Sequence, residues 1–411
     1  MGKRLIQAGL LLLLPLMLVF TFATPDAAAF TEEQKLFNEV WRIVDRAYVD
    51  STFNHQNWWL VRQRALKQPL QTRDETYAAI QKTLASLDDP YTRLLKPDQY
   101  RSLQTNTSGE LTGIGLQIAQ DSETGELMVI APIEGSPADQ AGLQPSDRIL
   151  KINGFPALEL TLDEAAERMR GPVGSMVTLT VAHEQQEPKD LTLVRDRITL
   201  NPVLADVRTE GGKPLGYIRL TQFNANATAE VAHAIARLTQ QGVEGFVLDL
   251  RNNPGGLLQA GIDVARYWLD NGTIVYTVNR DGIQDSFSAV GEALTDKPLV
   301  VLVNQGTASA SEILAGALQD NGRAQLIGEK TFGKGLIQSL FTLSDGSGLA
   351  VTVARYETPN HRDINKQGII PDQIVSLAES GDRLHVASDQ DPQYLAAVEW
   401  LGQQSVIANA P

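Results

Sequence analysis

The chain has 411 residues, 43% of them apolar, which suits two or three domains of ~100–200 residues each and argues against extended disorder. Its 35 Lys and Arg against 49 Asp and Glu leave a net charge of −14, which repels polyphosphate and excludes nucleic acid as an expected partner. With no cysteine there is no disulfide framework, thiolate zinc site or cysteine nucleophile; no His/Asp/Glu cluster has metal-ligand spacing, so no metal or other cofactor is implied.

Lys3 and Arg4, the largely apolar run Leu5–Phe22 and the small residues Ala27-Ala28-Ala29 read as a secretory signal, with the mature chain beginning near Phe30. The run is almost long enough to span a bilayer, so an uncleaved anchor helix is the alternative. From Thr31 the pattern is helical. Thr31-x-x-Gln34 forms a capping box ahead of a stripe through Phe37, Val40, Trp41, Val44 and Tyr48, and Thr72-x-x-Glu75 opens a second stripe through Tyr77, Ile80, Leu84 and Leu87. The aromatics here, Trp58 and Trp59 included, read as core packing.

Between Gly109 and Arg197 short strands and turns alternate, with one helix signal at Thr161–Met169. After Thr199, strands and helices alternate: 215–220 then 228–240, 245–250 then 257–268, 298–303 then 309–320. Apolar strands followed by helices imply an α/β core whose sheet is covered on both faces. Ligands of such sheets bind beyond the C-terminal strand ends, which here are loops 251–256 and 304–309.

Ser309, in Asn304-Gln305-Gly306-Thr307-Ala308-Ser309-Ala310-Ser311-Glu312, leaves an apolar strand and enters a helix, where N–H groups are unpaired and the dipole is positive. The same serine could equally be an N-cap. Gly255-Gly256, at the second strand end, allows close backbone approach and can offer oxyanion donors, or can be a plain turn. Lys334 lies between Gly333 and Gly335; alone it reads as a surface charge. None of the five histidines (His55, His183, His233, His361, His385) lies in a glycine-rich strand-to-helix turn or has an evident aspartate orienter. A serine–lysine pair is therefore the better mechanism, since a desolvated lysine can act as a base near neutrality.

The motifs Thr307–Ile313, Gly322-Arg323-Ala324, Gly328-Glu329, Thr331–Gly335 and Asp249–Gly256 together resemble the carboxyl-terminal processing, or tail-specific, serine peptidases, from about residue 36 to 375. The resemblance implies Ser309, not Ser311, as nucleophile and Lys334, not Lys330, as base. It makes Gln338 the residue that orients the lysine, with Ala310 and Gly255 or Gly256 as oxyanion donors. Four residues separate Lys334 from Gln338, which puts both on one face if the strand extends through Gly335. Glu312, in the first turn of the helix, is expected to compensate its dipole.

Residues 109–197 resemble a PDZ domain, with Thr112-Gly113-Ile114-Gly115-Leu116 as carboxylate-binding loop and Gly135–Ala138 with Ala141-Gly142-Leu143 as second hallmark. Such domains take a peptide C-terminus as an added strand. Arg170 falls where family members couple this domain to the active site. Asp88–Arg93 and Thr358–Asn365 look like the branch from oxygenic phototrophs, which trims the C-terminal extension of photosystem II protein D1 in the thylakoid lumen.

The expected organisation is a signal over 1–29, a helical segment over 30–105, a mostly β PDZ domain over 106–198, an α/β peptidase core over 199–390, and a C-terminal helix and tail over 391–411. The expected partners are proteins with a free C-terminal tail, the D1 precursor among them, with room for peripheral contact with the thylakoid membrane. The expected location is the thylakoid lumen or periplasm of a cyanobacterium. The alternatives are a general periplasmic tail-specific protease, a non-catalytic PDZ scaffold, and a thioester-handling enzyme, which export away from coenzyme A speaks against.

Overall fold

The computed structural model describes residues 30–121, 124–183, 186–210, 212–376 and 386–408; the signal-like residues 1–29 lie outside them. Among the described residues no helix is long and apolar enough to cross a membrane. By its internal contacts the chain divides into two units, residues up to 94 with 340–351, and 95–339 with 352–411.

In the first unit, α1 (Glu32–Ala47) and α3 (Arg73–Ala85) begin as their caps predict, and α2 (Trp58–Leu66), capped by Asn57, lies between them in the chain. Thr31 and Thr72 each close a capping box, satisfying helix N–H groups that would otherwise lack partners. The α1 stripe buries Leu36, Phe37, Val40 and Val44. Trp58 is buried and its ring nitrogen donates to Trp41 O. Trp59 departs from the expected core packing: adjacent on the helix, it points the other way and is 55% exposed. Asp345 accepts the Tyr77 hydroxyl at 2.7 Å and Arg73 at 2.5 Å, which places the 340–351 hairpin tip in this unit.

Beyond β1 (Arg93–Leu95), α4 (Pro97–Ser108) leads to the inserted β-rich region. Its strands are β2 (Glu110–Gly113), β3 (Leu116–Gln120), β4 (Leu127–Pro132), β5 (Arg148–Ile152), β6 (Phe155–Pro156), β7 (Met176–Ala182), β8 (Lys189–Val194) and β9 (Asp196–Thr199); α5 (Pro137–Gln140) and α6 (Leu162–Met169) lie among them. One sheet runs β3-β4-β5-β7-β8, around a core that includes Ile114, Leu127, Ile149, Ile152, Leu179 and Met169. The antiparallel pair β2 and β9 brings the entry and exit of this region side by side, Glu110 opposite Thr199.

The peptidase-like core contains β10 (Val203–Glu210), β11 (Lys213–Leu220), α7 (Ala227–Gln240), β12 (Gly245–Asp249), α8 (Leu258–Arg266), β13 (Thr273–Asn279), β14 (Gly282–Ser288), β15 (Leu299–Val303), α9 (Ala310–Asp320), β16 (Gln325–Gly328), β17 (Leu336–Thr342), β18 (Gly348–Glu357), β19 (Gln373–Ile374) and α10 (Pro392–Ala408). Its main sheet runs β10-β11-β12-β15-β16-β19, parallel from β11 onward. Every residue of β12 and β15 is buried, as a parallel strand covered on both faces requires. One face packs on α7, α8 and α9; the other packs Tyr217, Val247, Val300 and Leu302 on Tyr394, Ala397 and Leu401 of α10. The smaller sheet in which β13 joins β14 and β18, and β18 joins β17, was not read from the sequence.

Candidate active site

The loops after β12 and β15 meet at the C-terminal edge of the main sheet. Asn252 N–H donates to Asn304 Oδ1 and Asn304 Nδ2 donates to Asn252 Oδ1, both at 2.9 Å. Thr307 Oγ1 donates to Leu250 O at 2.9 Å, and Ala308 N–H to Asn253 O at 3.0 Å. These bonds engage the side chains of Asn252, Asn304 and Thr307 and tie the two loops together.

Ser309 stands at the turn into α9 with φ 58° and ψ −118°, a strained conformation for a non-glycine residue. It is partly exposed, whereas Ser311 is fully buried and donates its hydroxyl to Asn253 O at 3.0 Å. Gly255 lies directly against it. A Cβ there would fall 2.9 Å from both Ser309 Cβ and Ala310 N and 2.6 Å from Ala308 O, so only glycine fits.

The paired glycines differ in their backbone. Gly255 N–H already donates to Asn253 Oδ1 at 2.9 Å. Phe223 N–H donates to Gly255 O and Leu257 N–H to Phe223 O, a parallel ladder that turns the N–H of Gly256 to its opposite side. Ala310 is the first residue of α9, where the backbone N–H has no intrahelical acceptor.

Glu312, in the first turn of α9, does more than face the helix dipole: it is fully buried and takes four hydrogen bonds. Oε1 accepts the Thr331 hydroxyl at 2.5 Å and Gly333 N–H at 2.7 Å; Oε2 accepts Ser309 N–H and Lys334 N–H, each at 2.9 Å. One carboxylate thus joins the backbone of Ser309 to that of Lys334. The Tyr356 hydroxyl makes a second link, lying 3.0 Å from Ser309 O and 2.5 Å from Lys334 O. Both glycines beside Lys334 are packed on by a distant segment, since a Cβ on Gly333 would meet Gly368 N at 2.9 Å and one on Gly335 would meet Asn365 N at 2.7 Å.

Lys334 itself is half-buried, two residues before β17, and Tyr356 N–H donates to Gly335 O at 3.0 Å, carrying the ladder back to Gly335. Gln338 sits in β17 with its amide 3.5 Å from Thr352 Oγ1.

Behind the Gly255-Gly256 loop lies a buried ionic cluster that sequence reasoning passed over. Arg251 Nε and Nη2 donate to the two oxygens of Asp249 at 2.9 and 2.6 Å; Nη1 and Nη2 donate to Asp391 at 2.9 and 2.8 Å, and Nη1 to Gln393 Oε1 at 3.0 Å. All five donors are satisfied in a site that is 1% exposed. Burial works against the charge of Asp391, but the bonds and charge of Arg251 outweigh it and hold its carboxyl below the usual value. Arg251 is likewise raised against its own desolvation by the two aspartates. Burial and the Asp249 carboxylate raise the Tyr217 hydroxyl, which donates to Asp249 at 2.7 Å.

A histidine with an aspartate partner does exist, contrary to expectation: His183 Nδ1 is 2.5 Å from Asp147 Oδ1. It belongs to the inserted β region, and His361, 3.1 Å from Glu357 and stacked on Tyr276, lies outside both strand-end loops.

Within the inserted region the fold joins its two hallmarks. Gly115 has φ +74°, and its carbonyl accepts Ile133 N–H at 2.8 Å and the Ser136 hydroxyl at 3.1 Å. Ile114 is buried and its carbonyl accepts Ala138 N–H at 2.8 Å. Thr112 and Gly113 pair with Arg197 and Asp196, and Leu116 opens β3. Arg170 caps α6 with its Cα 3.6 Å from where a Gly113 Cβ would lie, its guanidinium 2.7 Å from Glu167.

Residues 214–375 match the model of peptidase family S41, and residues 128–183 match that of the PDZ domain. A carboxyl-terminal-processing protease of Synechocystis sp. is 58% identical over all of this chain and 96% of its own, and that of Picosynechococcus sp. is 58% identical over 99% of both. A solved structure described as a photosystem II D1 C-terminal processing protease is 43% identical, covers 89% of this chain and 100% of its own, and superposes with a TM-score of 0.58. Identity at that level along the whole chain, with a family model that covers both strand-end loops, establishes that the chain is a protease of the carboxyl-terminal processing kind and belongs to peptidase family S41.

Proposed function

We propose that the protein is a serine endopeptidase in which Ser309 Oγ attacks the scissile carbonyl while neutral Lys334 Nζ takes its proton. The lysine then passes that proton to the leaving amine, and water hydrolyses the acyl-enzyme by the same route. The observation that carries this reading is the Glu312 carboxylate, whose Oε2 accepts the N–H of both Ser309 and Lys334. Ala310 N–H and Gly256 N–H are the oxyanion donors; Gly255 serves by its small size, its own N–H being held by Asn253. A donor of this kind is worth roughly 2.7–4 kcal/mol to the transition state. Gln338 orients the lysine from the β17 face.

The Thr112–Leu116 loop captures the free C-terminus of a protein substrate as an added strand, and Arg170, at the joint between α6 and that loop, couples capture to catalysis. On this reading the domains are a helical segment over 30–105, the PDZ domain over 106–198, the peptidase core over 199–390 and a C-terminal helix and tail over 391–411. The name carried by the D1-processing structure supports the D1 precursor as a substrate, and the signal over 1–29 supports the thylakoid lumen or periplasm as the place of action.

The test is a tailed peptide incubated with the enzyme and read by mass spectrometry for a new C-terminus. Ser309→Ala and Lys334→Ala should each abolish cleavage, with the double variant little worse than either, while Ser311→Ala keeps it. Cleavage surviving in Ser309→Ala and lost in Ser311→Ala would move the nucleophile. Because the base must be neutral, kcat/KM should rise with pH on its alkaline approach; a fall across neutral to mildly alkaline pH would sink the lysine-base mechanism.

A further inference from the structure

Among the described residues of the inserted PDZ region, one buried cation has no acidic partner. Arg195, between β8 and β9, is 7% exposed. Its Nε donates to Met169 O at 3.0 Å, Nη2 to Arg168 O at 2.8 Å, and Nη1 to Met176 O at 2.7 Å and Ser175 Oγ at 3.0 Å. All four acceptors are neutral. Acids on the flanking elements α6, β2 and β9 have other partners, Glu167 with Arg170 at 2.7 Å, Glu110 with Arg197 at 3.5 Å and Glu164 with Thr161 at 2.8 Å, while Asp196 is exposed and accepts Arg197 N–H. Removing a charge from water without a counter-charge is costly, so such a residue calls for a compensating role.

Two of the acceptors supply it. Arg168 and Met169 are in the last turn of α6, where carbonyls lack helical partners and the dipole is negative. This negative end faces the carboxylate loop, since a Cβ on Gly113 would lie 3.4 Å from Met169 O. The carbonyl that abuts Gly113 is therefore the one that accepts Arg195 Nε. A Cβ on Gly171 would come within 2.9 Å of the guanidinium, so the turn after α6 is also laid over it. A cavity of about 430 Å³ opens here, with Thr112, Arg170 and Gly171 in its wall. Left uncompensated, the helix end would repel an anionic ligand group held at Gly113.

We propose that Arg195 determines specificity for a free C-terminus: from beneath the loop it neutralises the α6 terminus and supplies the positive potential that favours a terminal carboxylate over a neutral amide. This rests on the reading that Thr112–Leu116 captures the substrate tail. Arg195 touches no substrate atom and acts through Met169 O and the loop backbone.

The experiment measures binding of a fluorescent tailed peptide, as free acid and as C-terminal amide, to the full chain carrying Ser309→Ala. In that background Arg195→Gln, which still offers donors to Met169 O, should weaken the free acid about tenfold, equivalent to about 1.4 kcal/mol, and leave the amide within twofold. Should the Gln variant not fold, Arg195→Met, which keeps the length of the stem, is measured in the same way with the same expectation. Equal losses for acid and amide would make Arg195 a structural cap only and overturn the proposal. If the chain with native Arg195 binds acid and amide equally, it is the tail-capture reading that fails; if it discriminates and the variants discriminate as well as it does, only the role of Arg195 falls.

Discussion

Glu312 offers the sharpest test of how the site is held, because its replacement by Gln and by Ala should differ in kind. In Glu312→Gln one oxygen becomes an NH₂ group, and the two orientations of the amide are not equivalent. Turned toward Ser309 and Lys334, it would face two backbone N–H groups, neither able to accept. Turned toward Thr331 and Gly333, it can donate to Thr331 Oγ1, but Gly333 N–H, the Thr331 hydroxyl proton and the amide hydrogen that faces Gly333 are left without acceptors. The second orientation should still be chosen, since it keeps the Ser309 and Lys334 bonds, at a cost of about 1–3 kcal/mol for each buried donor left without a partner. Melting should fall by several degrees, at ~2–4 °C per kcal/mol for domains of this size, while the Ser309 and Lys334 bonds survive and kcat stays within about tenfold. Glu312→Ala instead strands all four donors in a fully buried site, a loss comparable to a whole stability of ~5–15 kcal/mol. It should not accumulate as a folded peptidase. Calorimetry and kcat on one tailed peptide decide the matter. A folded Ala variant destabilised by only about 1 kcal/mol would refute the clamp, and a Gln variant with near-native melting but activity down a thousandfold would mean that Glu312 takes part in the chemistry.

Further outcomes follow from the contacts around the clamp. Tyr356→Phe removes the hydroxyl between Ser309 O and Lys334 O and should cost about 0.5–1.5 kcal/mol with a matching fall in kcat and an unchanged KM; a rise in KM alone would place Tyr356 in substrate binding. Asp391→Asn breaks a buried pair with Arg251 and should destabilise by about 3–5 kcal/mol at neutral pH. Since the native carboxyl of Asp391 is held below its unfolded value near ~3.9, its contribution is present above that pH and is lost as pH falls through the lower native value. The melting deficit of the Asn variant should therefore shrink in acid, and a deficit constant down to acid unfolding would show that charge is not its source.

Much of the architecture is local in origin and legible in the chain. The capping boxes at Thr31, Thr72 and Thr161 start helices where the spacing places them, because their partners lie three residues away. The unbroken apolar runs of β12 and β15 announce a sheet covered on both faces, and its C-terminal edge directs attention to the two loops that the fold joins. Trp59 shows the limit of residue type, because helix phase and not hydrophobicity sends it to solvent.

What the tertiary structure alone decided is which polar groups answer one another. Glu312 looks like any first-turn acid until the chain returns 21 residues later to lay Gly333 against it, and Arg251 finds Asp391 across 140 residues. The glycines around Lys334 mark a close approach without naming the segment, residues 365–368, that makes it. His183 meets its aspartate only because β5 and β7 pair, setting Arg148 opposite Ala182. Periodicity records which face of an element is buried, since that choice repeats every two or 3.6 residues. A hydrogen bond between distant loops occurs once, leaves no period behind, and becomes visible only when the chain has closed.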